Sequence, residues 1–137
     1  MWCFYHYLVV FGGDAGPGSN SFASDDPGSV EENHFSDLWV FDILKRDWHP
    51  IIDASWPHQL VKDKVTGEIP DARTDMDGAV LEQFGAAVMV GGWFRDRGTV
   101  CDMWVLDLDA VVYFIENPSM KLENFWMKRD IDDDQLF

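Results

Sequence analysis

Residues 37–42 read DLWVFD, and residues 102–107 read DMWVLD. In the first copy Leu38 and Val40 point one way in an extended chain, while Trp39 and Phe41 point the other. A strand with one wet face alternates apolar with polar, so apolar residues at both parities mark a strand buried on both sides. Working outward, the same neighbours flank both copies. Upstream stand LVVFGG (8–13) and AVMVGG (87–92), and downstream stand Trp48 and Trp126. The order is constant and only the connections change length. The Gly13–Asp37 link is long where Gly92–Asp102 is short, and Asp42–Trp48 is short where Asp107–Trp126 is long. Fixed strands joined by elastic loops describe a β-meander made twice. Strands apolar on both faces require their sheets to stack face to face, as in a propeller or a solenoid.

These motifs resemble the kelch repeat, a unit of about 50 residues. That family's pattern is an apolar run ending in Gly-Gly, an aromatic strand closing on Asp, and a spaced Trp. Here it is Gly12 and Gly13, Trp39 to Asp42, and Trp48; then Gly91 and Gly92, Trp104 to Asp107, and Trp126. The family also opens a blade with Pro-x-x-Arg before a small-residue strand, and PDARTDMDGAVL supplies Pro70 and Arg73. Met76 stands where the family has a His. The resemblance covers nearly the whole chain. It implies an all-β fold of kelch-type β-propeller blades, each a four-stranded antiparallel meander. Strands are expected at 5–12, 38–43 and 47–52, then at 77–81, 84–91, 102–108 and 125–131. The innermost strand of the first blade is missing from that set, which leaves slightly under two blades of an incomplete propeller. The corresponding division is a first repeat at 1–52, a connecting loop at 53–76, a second repeat at 77–131 and an acidic tail at 132–137. Further blades of a longer chain, or self-association, would complete it.

The formal net charge of −15, from 25 acids against 10 bases, repels phosphate backbones and anionic lipid, so neither nucleic acid nor a membrane surface is an expected partner. Cys3 and Cys101 are too few for a disulfide framework or a cysteine zinc site, and point to a reducing, intracellular setting. The opening MWCFYHYLVVFGG has no basic region and no cleavage site of small residues, so it reads as a strand and not as a leader.

Catalytic and cofactor motifs are wanting. Neither glycine pair sits in a phosphate-cradling pattern ahead of a helix; backbone approach and positive φ explain the pairs better. Trp39, Trp48, Trp104 and Trp126 recur at repeat positions and are expected in the core. DARTDMDG crowds Asp71, Asp75 and Asp77 beside Gly78, but Arg73 and Phe84 would fall at the first and last ligand positions of a calcium loop, where acids are required. His6, His34, His49 and His58 show no zinc-protease spacing, and no serine lies in a nucleophile elbow. No cofactor and no metal is expected. The alternative is a remnant of a propeller enzyme, such as a galactose-oxidase-like oxidase, whose catalytic blades lie elsewhere.

Strand parity locates the expected working face. In an antiparallel meander the connections at 14–36, 53–76 and 93–101 share one end, and 109–124 lies at the other. The shared end carries WFRDR (93–97), two aromatics with two guanidiniums. Trp and Arg dominate interface hot spots, and Arg pairs bidentately with carboxylates. The expected function is a non-catalytic protein-interaction module, with Trp93, Phe94, Arg95, Arg97 and Arg73 contacting a protein partner. The competing reading folds Trp93 or Phe94 back onto the protein and pairs the arginines with local acids such as Asp96 and Asp102.

Overall fold

The computed structural model describes residues 1–14, 34–52, 64–94 and 98–129. In chain order the strands are β1 (Trp2–Phe4), β2 (Tyr7–Phe11), β3 (Leu38–Asp42), β4 (Asp47–Ile52), β5 (Val65–Thr66), β6 (Asp77–Leu81) and β7 (Ala86–Val90). After these come β8 (Trp93–Phe94), β9 (Gly98–Thr99), β10 (Met103–Asp107), the helix α1 (Leu108–Glu116), β11 (Leu122–Glu123) and β12 (Trp126–Arg129). The protein is mostly β. Two open four-stranded sheets dominate it, in the orders β1-β2-β3-β4 and β6-β7-β10-β12, with every neighbouring pair antiparallel.

The two meanders match residue for residue at their centres: Val9 lies opposite Val40, and Val88 opposite Val105. They pack through unlike faces. Tyr7, Val9, Phe11, Leu38 and Val40 of the first sheet are buried, as are Ala87, Met89, Trp104, Leu106 and Trp126 of the second. Trp126 sits at the joint, with its ring centroid 5.2 Å from Phe11 and 6.3 Å from Trp2. At the inner edge β6 lies beside β1, where a Cβ on Gly78 would come within 2.8 Å of the Trp2 indole nitrogen. Only a glycine admits that ring so close to the strand.

Several expectations are corrected. The first sheet does have a fourth strand where one was expected to be missing: β1 pairs with β2 through Trp2–Val9, Cys3–Leu8 and Phe4–Tyr7. The single strand expected at 5–12 is therefore the second arm of a hairpin reversing at Tyr5 and His6. Tyr5 takes the left-handed conformation (φ 54°) that such tight turns usually give to Gly or Asn, so composition left the turn unmarked. In the second sheet the strand expected from residue 84 begins at Ala86, after a 3-10 turn over Glu82–Phe84 that ends at Gly85 with φ 57°.

The 109–124 excursion, expected as loop, opens with α1. Asp107 closes β10 and caps the helix, its carboxylate accepting from the Ala110 amide at 3.0 Å. Leu108, Val111 and Phe114 turn inward and are buried. Tyr7 meets the far end of the helix, its hydroxyl donating to Glu116 Oε1 at 3.2 Å. Burial foremost, and then the Glu116 carboxylate, push the Tyr7 hydroxyl up to about 12.

The 53–76 connection does not stay at one end. Val65 and Thr66 form a parallel pair with Leu122 and Glu123, next to the excursion that parity sets apart. The chain then returns to the opposite end by Arg73 and Thr74.

Candidate interaction surface

The glycine pairs anchor the end of the molecule where the expected surface lies. Gly12 and Gly91 have φ of 66° and 65°, and Gly13 and Gly92 have φ of 110° and 117°. Only glycine enters such geometry freely. Each pair turns its chain so that the first glycine amide donates to the carbonyl opening the next strand, Gly12 to Asp37 at 3.1 Å and Gly91 to Asp102 at 2.9 Å. Those two aspartates then accept from the indole two residues on: Trp39 Nε1 to Asp37 at 2.9 Å, and Trp104 Nε1 to Asp102 at 2.9 Å.

Three connections meet here. Thr74 and Trp93 exchange backbone hydrogen bonds of 2.9 and 2.7 Å. Asp14 and His34 form an isolated bridge between the ends of the first long loop. The His34 ring lies 5.3 Å from that of Trp93 and 6.0 Å from that of Phe94. Trp93 is exposed and Phe94 half-buried, and β8 pairs with β9 in a short ribbon that holds both. The aromatic half of WFRDR thus leans on His34 while Trp93 keeps an open face to solvent. Arg95 and Arg97 lie outside the described residues, as do most of the acidic 14–36 loop and the 132–137 tail.

Arg73 is not a surface anchor. It is buried, with 1% of its side chain exposed, and forms an ion pair with Asp102. Its Nη2 donates to Asp102 Oδ2 at 3.0 Å, Nη1 donates to Asp102 Oδ1 and to the Gly91 carbonyl at 3.0 Å, and Nε donates to the Asp71 carbonyl at 3.1 Å. Its main chain meanwhile belongs to the first sheet's loop, with Gly13 N donating to Arg73 O at 3.0 Å and Arg73 N donating to Phe35 O at 3.3 Å. One residue therefore ties the two sheets together, backbone to one and side chain to the other. Burial alone would raise the Asp102 carboxyl; the Arg73 hydrogen bonds and charge, with the Trp104 indole, outweigh it and hold the group below its usual range.

The repeat tryptophans divide. Trp104 and Trp126 are buried, edge to face at 6.3 Å; Trp39 and Trp48 keep the same arrangement at 6.4 Å, yet Trp39 is half-buried and Trp48 is 54% exposed. Trp48 is thus not core, because no sheet among the described residues covers that face. The strand-closing aspartates each cap the turn or helix next in the chain: Asp42 Oδ1 accepts from Leu44 N and Lys45 N at 3.0 Å each, as Asp107 accepts from Ala110. Those hydrogen bonds, that of Lys45 first, hold the Asp42 carboxyl below its ordinary value.

Among the described residues one set of metal-ligand types does come together. Asp42, Asp47 and His49 bring ligand atoms within 4.8 Å of one another. Asp42 is committed to two amides, while His49 Nε2 lies 3.2 Å from Asp47 and has no hydrogen-bond partner among those residues. Comparison of the chain with protein-family models and with curated proteins finds no match to either.

Proposed function

We propose that the two sheets are consecutive blades of a kelch-type β-propeller, and that the chain is a non-catalytic protein-interaction module working through the loops around Trp93. The observation that carries this reading is the meeting of His34, Thr74 and Trp93, one from each of three connections. An aromatic fixed by neighbours on either side, with one face open, has the character of an interface hot spot, because little freedom is lost when a partner covers it. The 14–36 loop, whose His34 meets that anchor, is rich in acids and favours a partner with a basic rim, chiefly by speeding encounter. Exposed, unpaired Cys3 and Cys101 suit a reducing, intracellular setting.

The test is capture of a partner by the full chain, followed by affinity measurement with Trp93→Ala and Phe94→Ala. Loss of such an anchor costs about 2 kcal/mol or more, roughly thirtyfold in affinity. Tyr113→Ala and Lys121→Ala, at exposed positions of the opposite excursion, should bind normally. Binding lost only in that second pair would place the working surface at the other end.

A further inference from the structure

We propose that the cavity beside Asp37 and Trp39, on the uncovered face of the first sheet, receives an arginine side chain. The pattern for it lies within the molecule. In the second sheet a carboxylate (Asp102), an indole that orients it (Trp104) and the carbonyl of a positive-φ glycine (Gly91) together hold the guanidinium of Arg73. In the first sheet the same three groups recur as Asp37, Trp39 and Gly12. The Trp39 indole holds Asp37 Oδ2 at the same 2.9 Å, and Gly12 matches Gly91 in φ to within a degree. Among the described residues no guanidinium or ammonium bonds Asp37. In its place is a cavity of about 440 Å³ bounded by Val10, Gly12, Phe35, Asp37, Trp39 and Trp48.

The chemistry selects arginine over other cations. A planar fork can serve both oxygens of a carboxylate at once, whereas an ammonium meets it as a point. Trp39 and Trp48 line the cavity, and indole faces attract a guanidinium stacked on them. The chain's net charge of −15 draws cations toward it generally. None of His34, Thr74 and Trp93 lines this cavity, so its test stands or falls separately from the loop-end reading.

The test tracks the indole N–H resonances of the isotope-labelled full chain during titration with N-acetyl-arginine amide, its lysine counterpart and its uncharged citrulline counterpart. The expected result is a shift of the Trp39 indole by the arginine compound, with affinity at least about tenfold tighter than for the other two. Asp37→Asn, which keeps an acceptor for Trp39, should abolish that shift and leave the Trp104 indole resonance in place. No movement of Trp39, equal binding of lysine or citrulline, or binding that survives Asp37→Asn would each overturn the proposal. The wild-type comparison of arginine with citrulline decides the matter even if the variant fails to fold. Sedimentation separates the sources of the natural arginine. A second copy as donor gives self-association that Asp37→Asn lowers, and another polypeptide as donor leaves both proteins sedimenting alike.

Discussion

Replacing Arg73 by Met removes the charge and all the side-chain hydrogen bonds while keeping much of the buried bulk. Asp102 then loses its counter-ion and the Gly91 carbonyl loses its donor. Breaking a buried ion pair by removing one partner costs about 3–5 kcal/mol, because the remaining charge is left desolvated. Arg73 is 1% exposed, but the Asp102 side chain is 15% exposed, so water relieves part of that penalty and about 3 kcal/mol is the expected loss. Against a total stability of about 5–15 kcal/mol for a domain, that is a large fraction. Urea unfolding followed by tryptophan fluorescence measures it as a lowered midpoint. Asp102→Asn should cost a comparable amount, about 3 kcal/mol, because the amide still accepts from Trp104 but the more deeply buried Arg73 guanidinium loses its counter-ion. The double variant should be more stable than the sum of the single losses requires, by about 1–3 kcal/mol, because neither charge is then left alone. Acid adds an independent check. The folded Asp102 carboxyl titrates below its unfolded value of about 3.9, so its contribution is full above that pH and vanishes as pH falls through the folded value. Arg73→Met should flatten that acid limb. A loss under about 1 kcal/mol with an unchanged limb would refute the view of Arg73 as the tie between sheets.

The repeat predicts unequal costs at equal positions: Trp126→Ala should lose about 3–5 kcal/mol as a buried aromatic, and exposed Trp48→Ala less than about 1 kcal/mol in the monomer, both read from thermal or urea midpoints. Gly13 and Gly92 have φ of 110° and 117°, but a Cβ meets nothing at Gly13 and lies 2.9 Å from the Thr74 carbonyl at Gly92. Alanine at either should cost about 1–3 kcal/mol of backbone strain, and Gly92→Ala should be the worse of the two; equal losses would discount the contact. Tyr7, with its hydroxyl pushed up to about 12, stabilises the fold fully below its unfolded value of about 10 and loses that contribution as pH rises toward 12. Ultraviolet titration should show one tyrosine ionising last, and Glu116→Gln should bring it down.

What was legible in the sequence was what repeats. The Asp-x-Trp strands, the glycine pairs and the alternation of Leu38, Val40 and their counterparts defined two like meanders and the order of their strands. What was hidden lacked either a counterpart or a marker. The Tyr5–His6 reversal carries no Gly, Asn or Asp, so an apolar run concealed a hairpin. The α1 signal was present, since Leu108, Val111, Val112 and Ile115 have helical spacing behind a capping Asp107, but a variable connection invites a loop reading. Arg73 stood out in its Pro-x-x-Arg setting ahead of a small-residue strand, yet its destination did not, because Asp102 is distant in sequence and more obvious arginines stand nearer to it. Trp48 shows the limit of repeat logic: an equivalent position gives equivalent local geometry, while burial depends on what covers the sheet.

The short parallel pairing of β5 with β11 bears on how the chain assembles. Its two arms bracket β6, β7, β10 and α1, and it is formed by backbone bonds such as Leu122 N to Lys64 O at 2.7 Å and Asn124 N to Thr66 O at 3.0 Å. Neighbouring strands of the second sheet are joined by connections much shorter than the stretch between β5 and β11, so this pair forms only after the intervening chain has collapsed, since closing a long loop costs entropy before any bond is gained. Its amides belong to the late stage of folding. Substitutions at Val65 or Leu122 should therefore speed unfolding far more than they slow folding, making this small ribbon a latch on the lifetime of the second sheet.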